Sequence, residues 1–205
     1  TRKVTLTNMI DHARSVRLGV KKSLMVVDMP HNTYKTNSLA LKNAKKIIKE
    51  TKCDAVKLEG GKKIINQIKY LVRNKIAVMG HLGLLPQTTK GKFKSKGKTT
   101  REKNQLVNDA VLLQSNGVFG IVLECIKQTT AKQITQSIKI PTIGIGSSVN
   151  CDGQVLVTDD LIGLNNTSIK FVKKFINIKK YLNLGLKKFA SEVKLKKYPL
   201  KKHSY

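Results

Sequence analysis

An alternation of short apolar runs with longer stretches of helical spacing constrains the fold of this chain more than any other feature. Six runs rich in Val, Ile and Leu recur, at residues 23–28, 55–61, 76–84, 119–125, 142–147 and 154–160. Near-continuous apolar runs of this length are typical of parallel strands that are buried on both faces. Strand and helix alternating in this way predict one parallel sheet with right-handed crossover connections.

The segments between the runs carry apolar residues at three- and four-residue steps, which predicts amphipathic helices. These positions are Leu41, Ala44 and Ile48 after Asn37; Leu106, Ala110 and Leu113; Ala131, Ile134 and Ile138; and Ile169, Val172 and Ile176, which open the last long helical region. Thr99 and Glu102 have the spacing of a capping box, so a helix is predicted to start there.

Two architectures satisfy this alternation, a doubly wound open sheet and a (β/α)8 barrel, and the polar residues favour the barrel. Polar side chains stand at or just after the ends of the runs, at Asp28, Glu59, His81, Glu124 and Asp159 or Asp160. A barrel gathers the C-terminal ends of its strands around one mouth, where catalytic groups are found. A dinucleotide-binding open sheet would need a G-x-G-x-x-G turn, and none follows the first run.

The formal net charge of +28 suggests a nucleic-acid partner, but the type of basic residue weakens that interpretation. The chain has 35 Lys and only 5 Arg, whereas specific nucleic-acid contacts favour the planar, bidentate Arg. The lysines are spread along most of the chain beside many Ile and Asn residues, and all three have AT-rich codons. A biased genome composition therefore suffices, and we expect no specific nucleic-acid partner.

Cysteine usage and hydropathy favour a cytoplasmic protein without a membrane span. Cys53, Cys125 and Cys151 form no C-x-x-C pair and are odd in number, which fits free thiols in a reducing compartment. No stretch approaches the roughly 18 consecutive apolar residues that a membrane span needs. We expect residues 1–205 to form a single catalytic domain, because the chain is short for two independent cores.

The second run carries a charged pair that is costly to bury unless it is compensated. Lys57 and Glu59 are two residues apart, so on a strand they point to the same side of the sheet. They form either a buried ion pair or a site for a metal or an anionic ligand. Asp28 and Glu124 end two other runs, where each could also cap a turn or a helix.

Together, these side chains suit the enolisation of a 2-oxo acid. Asp28 and Glu59 offer hard oxygen donors from adjacent strands, which Mg²⁺ prefers, and no Cys/His cluster has zinc spacing. A metal would stabilise the enolate, a lysine would neutralise the carboxylate, and a separate acid would move the proton. His81 is interpreted as a core or supporting histidine rather than a ligand.

Several strings of residues resemble one family along essentially the whole chain. They are VVDMP (26–30), VKLEGG (56–61), GHLGLLPQ (80–87), VLEC (122–125), IPTIGIG (140–146) and DGQVLV (152–157). The chain is thereby similar to the ketopantoate hydroxymethyltransferases (3-methyl-2-oxobutanoate hydroxymethyltransferases). That resemblance implies a (β/α)8 TIM barrel of the phosphoenolpyruvate mutase and isocitrate lyase type.

The resemblance also implies a role for each matched residue. Asp28 corresponds to the aspartate that binds both Mg²⁺ and the 2-oxo acid, and Glu59 to a second metal ligand. Lys57 corresponds to the lysine that holds the substrate carboxylate, and Glu124 to the proton acceptor. The implied reaction transfers a hydroxymethyl group from 5,10-methylenetetrahydrofolate to 3-methyl-2-oxobutanoate and gives 2-dehydropantoate, on the way to pantothenate and coenzyme A. Homo-oligomers, decamers in the family, are implied as well.

One departure from the family pattern concerns the start of the barrel. The family begins with two βα units, and the second carries a Gly-Asp-Ser motif whose Asp is a further Mg²⁺ ligand and whose Ser contacts the substrate. Nothing in residues 1–205 matches that motif. We therefore expect the natural polypeptide to carry an upstream segment with this Asp-Ser pair. The codons that precede Thr1 would test this expectation.

Other interpretations stay open at this point. A Mg²⁺-dependent carbon–carbon lyase or mutase acting on a 2-oxo acid would use the same residues. A basic nucleic-acid-binding protein and an inactive product of a decaying gene are further alternatives. The Gly- and Lys-rich loop at residues 88–100 is interpreted either as a solvated surface loop or as a lid beside the site.

Overall fold

Parallel strands in chain order form the centre of the fold in the computed structural model, which describes residues 3–89, 94–166 and 169–205. Within these residues the six strands are β1 Val26–Asp28, β2 Ala55–Glu59, β3 Val78–Gly83, β4 Gly120–Glu124, β5 Thr142–Ile145 and β6 Gly153–Gln154. Every neighbouring pair of strands is parallel. The prediction of one parallel sheet is confirmed.

Helices alternate with these strands in the first of two compact units, residues 1–155. They are α1 Leu6–Gly19, α2 Asn37–Thr51, α3 Ile65–Arg73 after a 3-10 turn at Lys62–Ile64, α4 Thr100–Ser115 and α5 Gln128–Ser137. Each helix packs against the next one along the chain, so they form one layer on one face of the sheet. The unit is therefore a half-barrel, since a doubly wound sheet would reverse its strand order. A closed barrel of eight strands stays a prediction.

The core of the first unit lies between this helical layer and the sheet. Side chains without exposed surface at one such contact are Ala40, Ala44 and Ile47 in α2 and Val56 and Leu58 in β2. In α5, Ala131 and Ile134 are buried in the same way. The helices predicted over these segments are thus confirmed, and their apolar faces hold the strands in place.

The start of α4 has the predicted cap with one change. The Thr99 hydroxyl accepts a hydrogen bond from the Glu102 backbone N–H at 3.2 Å. The Glu102 carboxylate accepts from the backbone N–H of Lys98 at 3.1 Å, one residue before the expected position. Both bonds satisfy N–H groups at or beside the helix start that would otherwise have no partner within the helix.

The loop predicted at 88–100 is anchored at its C-terminal side. Residues 90–93 lie outside the described part of the chain. Lys96 is held on both sides by the segment after β4, because its N–H donates to the Cys125 carbonyl and its carbonyl accepts from the Lys127 N–H, both at 2.8 Å. The Thr130 hydroxyl donates to the Gly97 carbonyl at 2.8 Å. The lid function stays a prediction.

The sixth apolar run is a strand over two residues only, and its predicted extent of 154–160 was wrong. β6 pairs with β5 at Gly153 and Gln154, and one further hydrogen bond joins the Val155 N–H to the Gly144 carbonyl at 3.0 Å. Val155 and Val157 are 44% and 54% exposed. Because strand propensity depends on burial against neighbours, these valines do not hold the chain extended.

The second unit, residues 156–205, is mainly helical in its described residues. It contains α6 Thr158–Leu161, α7 Ile178–Lys194 and a 3-10 turn at Lys201–His203. Asp159 and Asp160 lie in the first turn of α6, where carboxylates interact favourably with the helix N-terminus. The prediction that one of them stands at the end of a strand was therefore wrong. The single domain expected over residues 1–205 stays a prediction.

The last long helix begins at Ile178, so the prediction that it begins at Ile169 was wrong. The backbone N–H groups of Phe175 and Ile178 donate to the carbonyls of Leu161 and Ile162, each at 2.9 Å. The segment before the helix is therefore bound to α6 and its flank. Apolar spacing does not reveal such a bond, because it depends on a neighbouring element.

Two findings concern membrane spans and cysteines. Among residues 3–89, 94–166 and 169–205, no helix combines the length and the apolar content needed to cross a membrane. Cys53, Cys125 and Cys151 are free thiols.

The motif DGQVLV begins with a carboxylate that connects the ends of β5 and β6. One oxygen of Asp152 accepts from the Thr142 backbone N–H at 2.8 Å and from the Thr142 hydroxyl at 3.0 Å. The backbone hydrogen bond from Thr142 holds the pKa of Asp152 below its usual value, although burial opposes the shift. The charged form is thus the one that stabilises this connection.

We expect Asp152→Asn to lower the free energy of unfolding at pH 7 by about 1 kcal/mol, because a charge-assisted bond is lost at an exposed site. A depressed carboxyl pKa stabilises the fold above the unfolded-state pKa, and this contribution is lost as pH falls through the folded-state pKa. Urea unfolding across this pH range should therefore show the difference vanishing in acid. Asp11→Asn, which removes an exposed pair with Arg14, serves as control. Equal effects of both variants at pH 7 would contradict this account.

Candidate active site

The parallel register brings the predicted site residues to one end of the sheet. Asp28 lies opposite Lys57 in the β1–β2 pair, and Glu59 lies opposite His81 in the β2–β3 pair. Glu124, the last residue of β4, lies opposite Gly83. Because all strands run in the same direction, these positions are the C-terminal ends of four consecutive strands.

Lys57 connects the first and third of these strands. Its Nζ lies 3.1 Å from Asp28 Oδ1 and 3.2 Å from His81 Nδ1, and its side chain is 15% exposed. An ammonium group can only donate hydrogen bonds, so Nδ1 of His81 must be the acceptor. The neutral imidazole then carries its proton on Nε2.

His81 directs its Nε2 toward Glu124. The ring is 2% exposed, and Nε2 lies 3.3 Å from Glu124 Oε2. The angles at this distance do not make a hydrogen bond, and Nε2 is a buried polar atom without a partner among the described residues. A small movement of the Glu124 side chain would complete the bond. The imidazole therefore accepts from the Lys57 ammonium on one side and faces the Glu124 carboxylate on the other.

Glu59 is the most deeply buried carboxylate of the set. It is 6% exposed, and burial raises its pKa above the usual value. The Gln87 N–H and the Lys57 ammonium each lower the pKa of Glu59 in part. The Gln87 backbone N–H donates to Glu59 Oε2 at 3.0 Å, while Oε1 lies 4.0 Å from His81 Nδ1. A buried carboxylate of this kind favours a nearby cation.

Gln87 is a residue of this site that sequence reasoning missed. Its side-chain amide donates to the Met29 carbonyl at 2.9 Å and accepts from the Tyr34 hydroxyl at 3.0 Å. Gln87 is 4% exposed, so both bonds are buried. They fix the backbone N–H that binds Glu59 and tie it to the residue after Asp28. The string GHLGLLPQ contained Gln87 as a family motif, but no periodicity marks its role.

Tyr34 and Cys125 remain neutral beside the carboxylates. Burial, followed by the charge of Glu59, raises the pKa of Tyr34 to about 12, so its hydroxyl stays a donor to Gln87. Burial, followed by the charge of Glu124, raises the pKa of Cys125 to about 11. A thiol with this pKa is not a nucleophile near neutral pH, because the thiolate is the reactive form.

The donor set is compatible with magnesium but offers few ligands. Asp28 and Glu59 present carboxylate oxygens at the ends of adjacent strands. Mg²⁺ often binds through one or two carboxylates and completes its shell with water or substrate oxygens. Within the described residues, no group of three or more His, Cys, Asp and Glu side chains is placed to hold a metal. Asp28 and Glu59 would thus supply two ligands.

This arrangement can bind and deprotonate a small carbonyl acid. Lys57 of β2 presents a cation for a substrate carboxylate, and Glu124 presents a base at the end of β4, two strands away. A half-barrel with such groups at its C-terminal strand ends has the features of a barrel-type enzyme.

Comparison with known proteins agrees with a barrel-type enzyme and identifies the family to which the chain belongs. The family profile described as ketopantoate hydroxymethyltransferase matches residues 1–201. A 3-methyl-2-oxobutanoate hydroxymethyltransferase from Pelagibacter ubique is 61% identical over 205 residues, which cover 100% of this chain and 79% of that protein. One of the same name from Clostridioides difficile is 44% identical over 209 residues and is covered to 76%. The chain belongs to the ketopantoate hydroxymethyltransferase family.

Solved structures support the fold. A 2,3-dimethylmalate lyase, a member of the PEP mutase/isocitrate lyase superfamily, aligns with a TM-score of 0.51 and 13% identity over 97% of this chain and 68% of that one. A putative lyase/mutase from Burkholderia cenocepacia aligns with a TM-score of 0.52 and 10% identity, over 94% and 69% respectively. These likenesses concern the fold alone.

We expect Gln87→Leu to lower the free energy of unfolding by about 2–4 kcal/mol, because two buried polar groups, the Met29 carbonyl and the Tyr34 hydroxyl, lose their partner. Urea denaturation would measure the change. Gln67→Leu is the matched control, since Gln67 makes one exposed hydrogen bond, to the Lys35 carbonyl. If both variants cost the same, Gln87 does not brace the site as described.

Proposed function

We propose that this chain transfers a hydroxymethyl group from 5,10-methylenetetrahydrofolate to 3-methyl-2-oxobutanoate and thus forms 2-dehydropantoate for pantothenate synthesis. Family membership and the names of the relatives support this reaction. The observation that carries the proposal is the convergence of Asp28, Lys57, Glu59, His81 and Glu124 on adjacent strand ends.

The reaction balances with one water molecule. C3 of the oxo acid loses a proton and forms a bond to the methylene carbon of the folate. Both bonds between that methylene carbon and the folate nitrogens break. The carbon–carbon bond replaces one of them, and a bond to the oxygen of water replaces the other. The proton from C3 and one proton from water go to the two nitrogens, which gives tetrahydrofolate.

Lys57 and Glu124 have distinct tasks in this scheme. The Lys57 ammonium binds the carboxylate of the oxo acid, and the ion pair with Asp28 at 3.1 Å orients it. Glu124 accepts the proton from C3. The Nε2–H of His81 lies 3.3 Å from Glu124 Oε2, and after a small movement of the Glu124 side chain it would donate to the carboxylate and hold it in position for this step. The buried location of His81 keeps water away from this contact.

Asp28 and Glu59 would hold Mg²⁺. A bound ion there would supply Lewis-acid stabilisation of negative charge on the substrate. Glu59 is suited to this role because its burial makes a carboxylate that is compensated only in part costly. The Gln87 N–H keeps one of its oxygens in a fixed direction.

A cytoplasmic location and a homo-oligomeric state complete the proposal. The free thiols Cys53, Cys125 and Cys151 fit a reducing compartment. Light scattering on the full polypeptide would measure the oligomeric state.

We expect Glu124→Gln to reduce kcat by about 10²–10⁴-fold, because the general base is lost. Glu59→Gln should weaken Mg²⁺ binding and raise the Mg²⁺ concentration needed for half-maximal rate. The assay contains the complete polypeptide, Mg²⁺, 3-methyl-2-oxobutanoate and methylenetetrahydrofolate. Glu50→Gln, at an exposed pair with Arg14, is the control. Activity like that of the parent in both site variants would refute these assignments, and turnover without the folate would favour a lyase.

A further inference from the structure

We propose that a cavity beside Glu59 binds the folate part of the one-carbon donor, an inference that rests on the proposed function. The cavity has a volume of about 510 Å³ and lies between the segment after β2, the segment after β3 and helix α4. No residue of this cavity other than Glu59 has a part in the mechanism above. Its occupant would therefore be a second molecule beside the oxo acid.

The position of the cavity is right for a co-substrate. Glu59 lines one end of it, together with Leu82 and Gly83 of the next strand. Glu59 is also the carboxylate that the Gln87 N–H directs at the site. A ligand that fills the cavity would thus reach the C-terminal end of β2, where the oxo acid is expected to bind.

The walls suit a flat ring system of moderate size. Leu82, Leu85 and Leu106 provide apolar surface, and Gln105 adds a polar amide. Binding sites for small molecules commonly enclose about 300–1,000 Å³ and combine apolar walls with a few polar groups. The oxo acid alone is too small to need this space. A pterin joined to an aminobenzoyl ring has the size and the flat shape that this cavity would accept.

Either of two carboxylates in the wall, about two helical turns apart on α4, can recognise a pterin. Asp109 accepts from the Lys62 backbone N–H at 3.1 Å, and Glu102 accepts from the Lys98 backbone N–H at 3.1 Å. These bonds fix both side chains, and each carboxylate has further acceptor capacity. Reduced pterins carry neighbouring N–H groups on one edge, which pair with carboxylates. Asp109 packs so closely on Gly61 that a Cβ there would lie 2.3 Å from it.

The same cavity has a cationic side. Lys62, Lys63 and Lys96 line it, and the first two are exposed. Folates end in a glutamate tail whose carboxylates favour such cations at the mouth of a site. Lys96 is the best placed, because backbone bonds to Cys125 and Lys127 hold its segment. Acidic, apolar and basic surfaces therefore match the three parts of a folate.

A pair of tryptophan substitutions on α4 tests the proposal. Gln105 is exposed and lines the cavity, so Gln105→Trp should fill it without removing core packing. Asn104 is exposed and next in sequence but does not line the cavity, so Asn104→Trp is the matched control. In the complete polypeptide we expect Gln105→Trp to raise KM for methylenetetrahydrofolate at least about tenfold, a loss of about 1.4 kcal/mol of binding. The control should stay within about twofold.

A charge reversal provides a second, independent test. Lys63→Glu should weaken tetrahydrofolate binding severalfold, and the loss should shrink at high salt because it is electrostatic. Lys69→Glu is the control, since Lys69 is exposed on α3 outside the cavity. Tetrahydrofolate itself is the probe, and its binding is measured by equilibrium titration without the oxo acid.

Failure of the cavity proposal can be separated from failure of the proposed function. The C3 proton of 3-methyl-2-oxobutanoate should exchange with deuterium oxide when the enzyme deprotonates it. NMR can monitor this exchange in the absence of folate, so the measurement reports on the oxo acid site alone. If the parent protein showed neither exchange of this proton nor turnover, the proposed function would be overturned. Normal exchange with unchanged tetrahydrofolate binding in both Gln105→Trp and Lys63→Glu would overturn the cavity proposal. Equal losses in Gln105→Trp and Asn104→Trp would also overturn it, because the effect would then not depend on the cavity.

Discussion

Burial of charge at the end of β2 is the constraint on which the rest of the structure depends. Lys57 and Glu59 lie within an apolar strand, and taking either charge out of water is costly unless it is compensated. Asp28 and the His81 imidazole compensate the ammonium, and the Gln87 N–H compensates the carboxylate. Each partner comes from a different element, so the sheet and its loops must be assembled before these charges are tolerable.

The same compensation prepares the site for its chemistry. The Lys57 ammonium sets the tautomer of His81, and the tautomer in turn presents an N–H to Glu124. The carboxylate of Glu59 lacks full compensation, because burial still raises its pKa. A site that keeps such a group unneutralised is ready to bind a cation, and a metal ion would relieve the cost.

Local sequence patterns predicted most strands and helices of the half-barrel. They failed where contacts with neighbouring elements determine the backbone conformation. Five of the six apolar runs contain strands close to their predicted bounds, because burial on both faces demands continuous apolar residues. The run at 154–160 is equally apolar, yet Val155 and Val157 are exposed and the strand stops after Gln154. The apolar residues Ile169, Val172 and Ile176 are likewise not helical, since the segment before α7 bonds to the flank of α6.

By itself, the sequence determined the alternation of elements, the family, and the strand-end positions of Asp28, Lys57, Glu59 and Glu124, because these depend on local pattern and on motif strings. Only the tertiary structure decided the strand order that excludes a doubly wound sheet, and only it placed Gln87 against Glu59. Contacts between residues far apart in the chain leave no periodic signal. Their energies arise from burial, which exists only once the chain has folded.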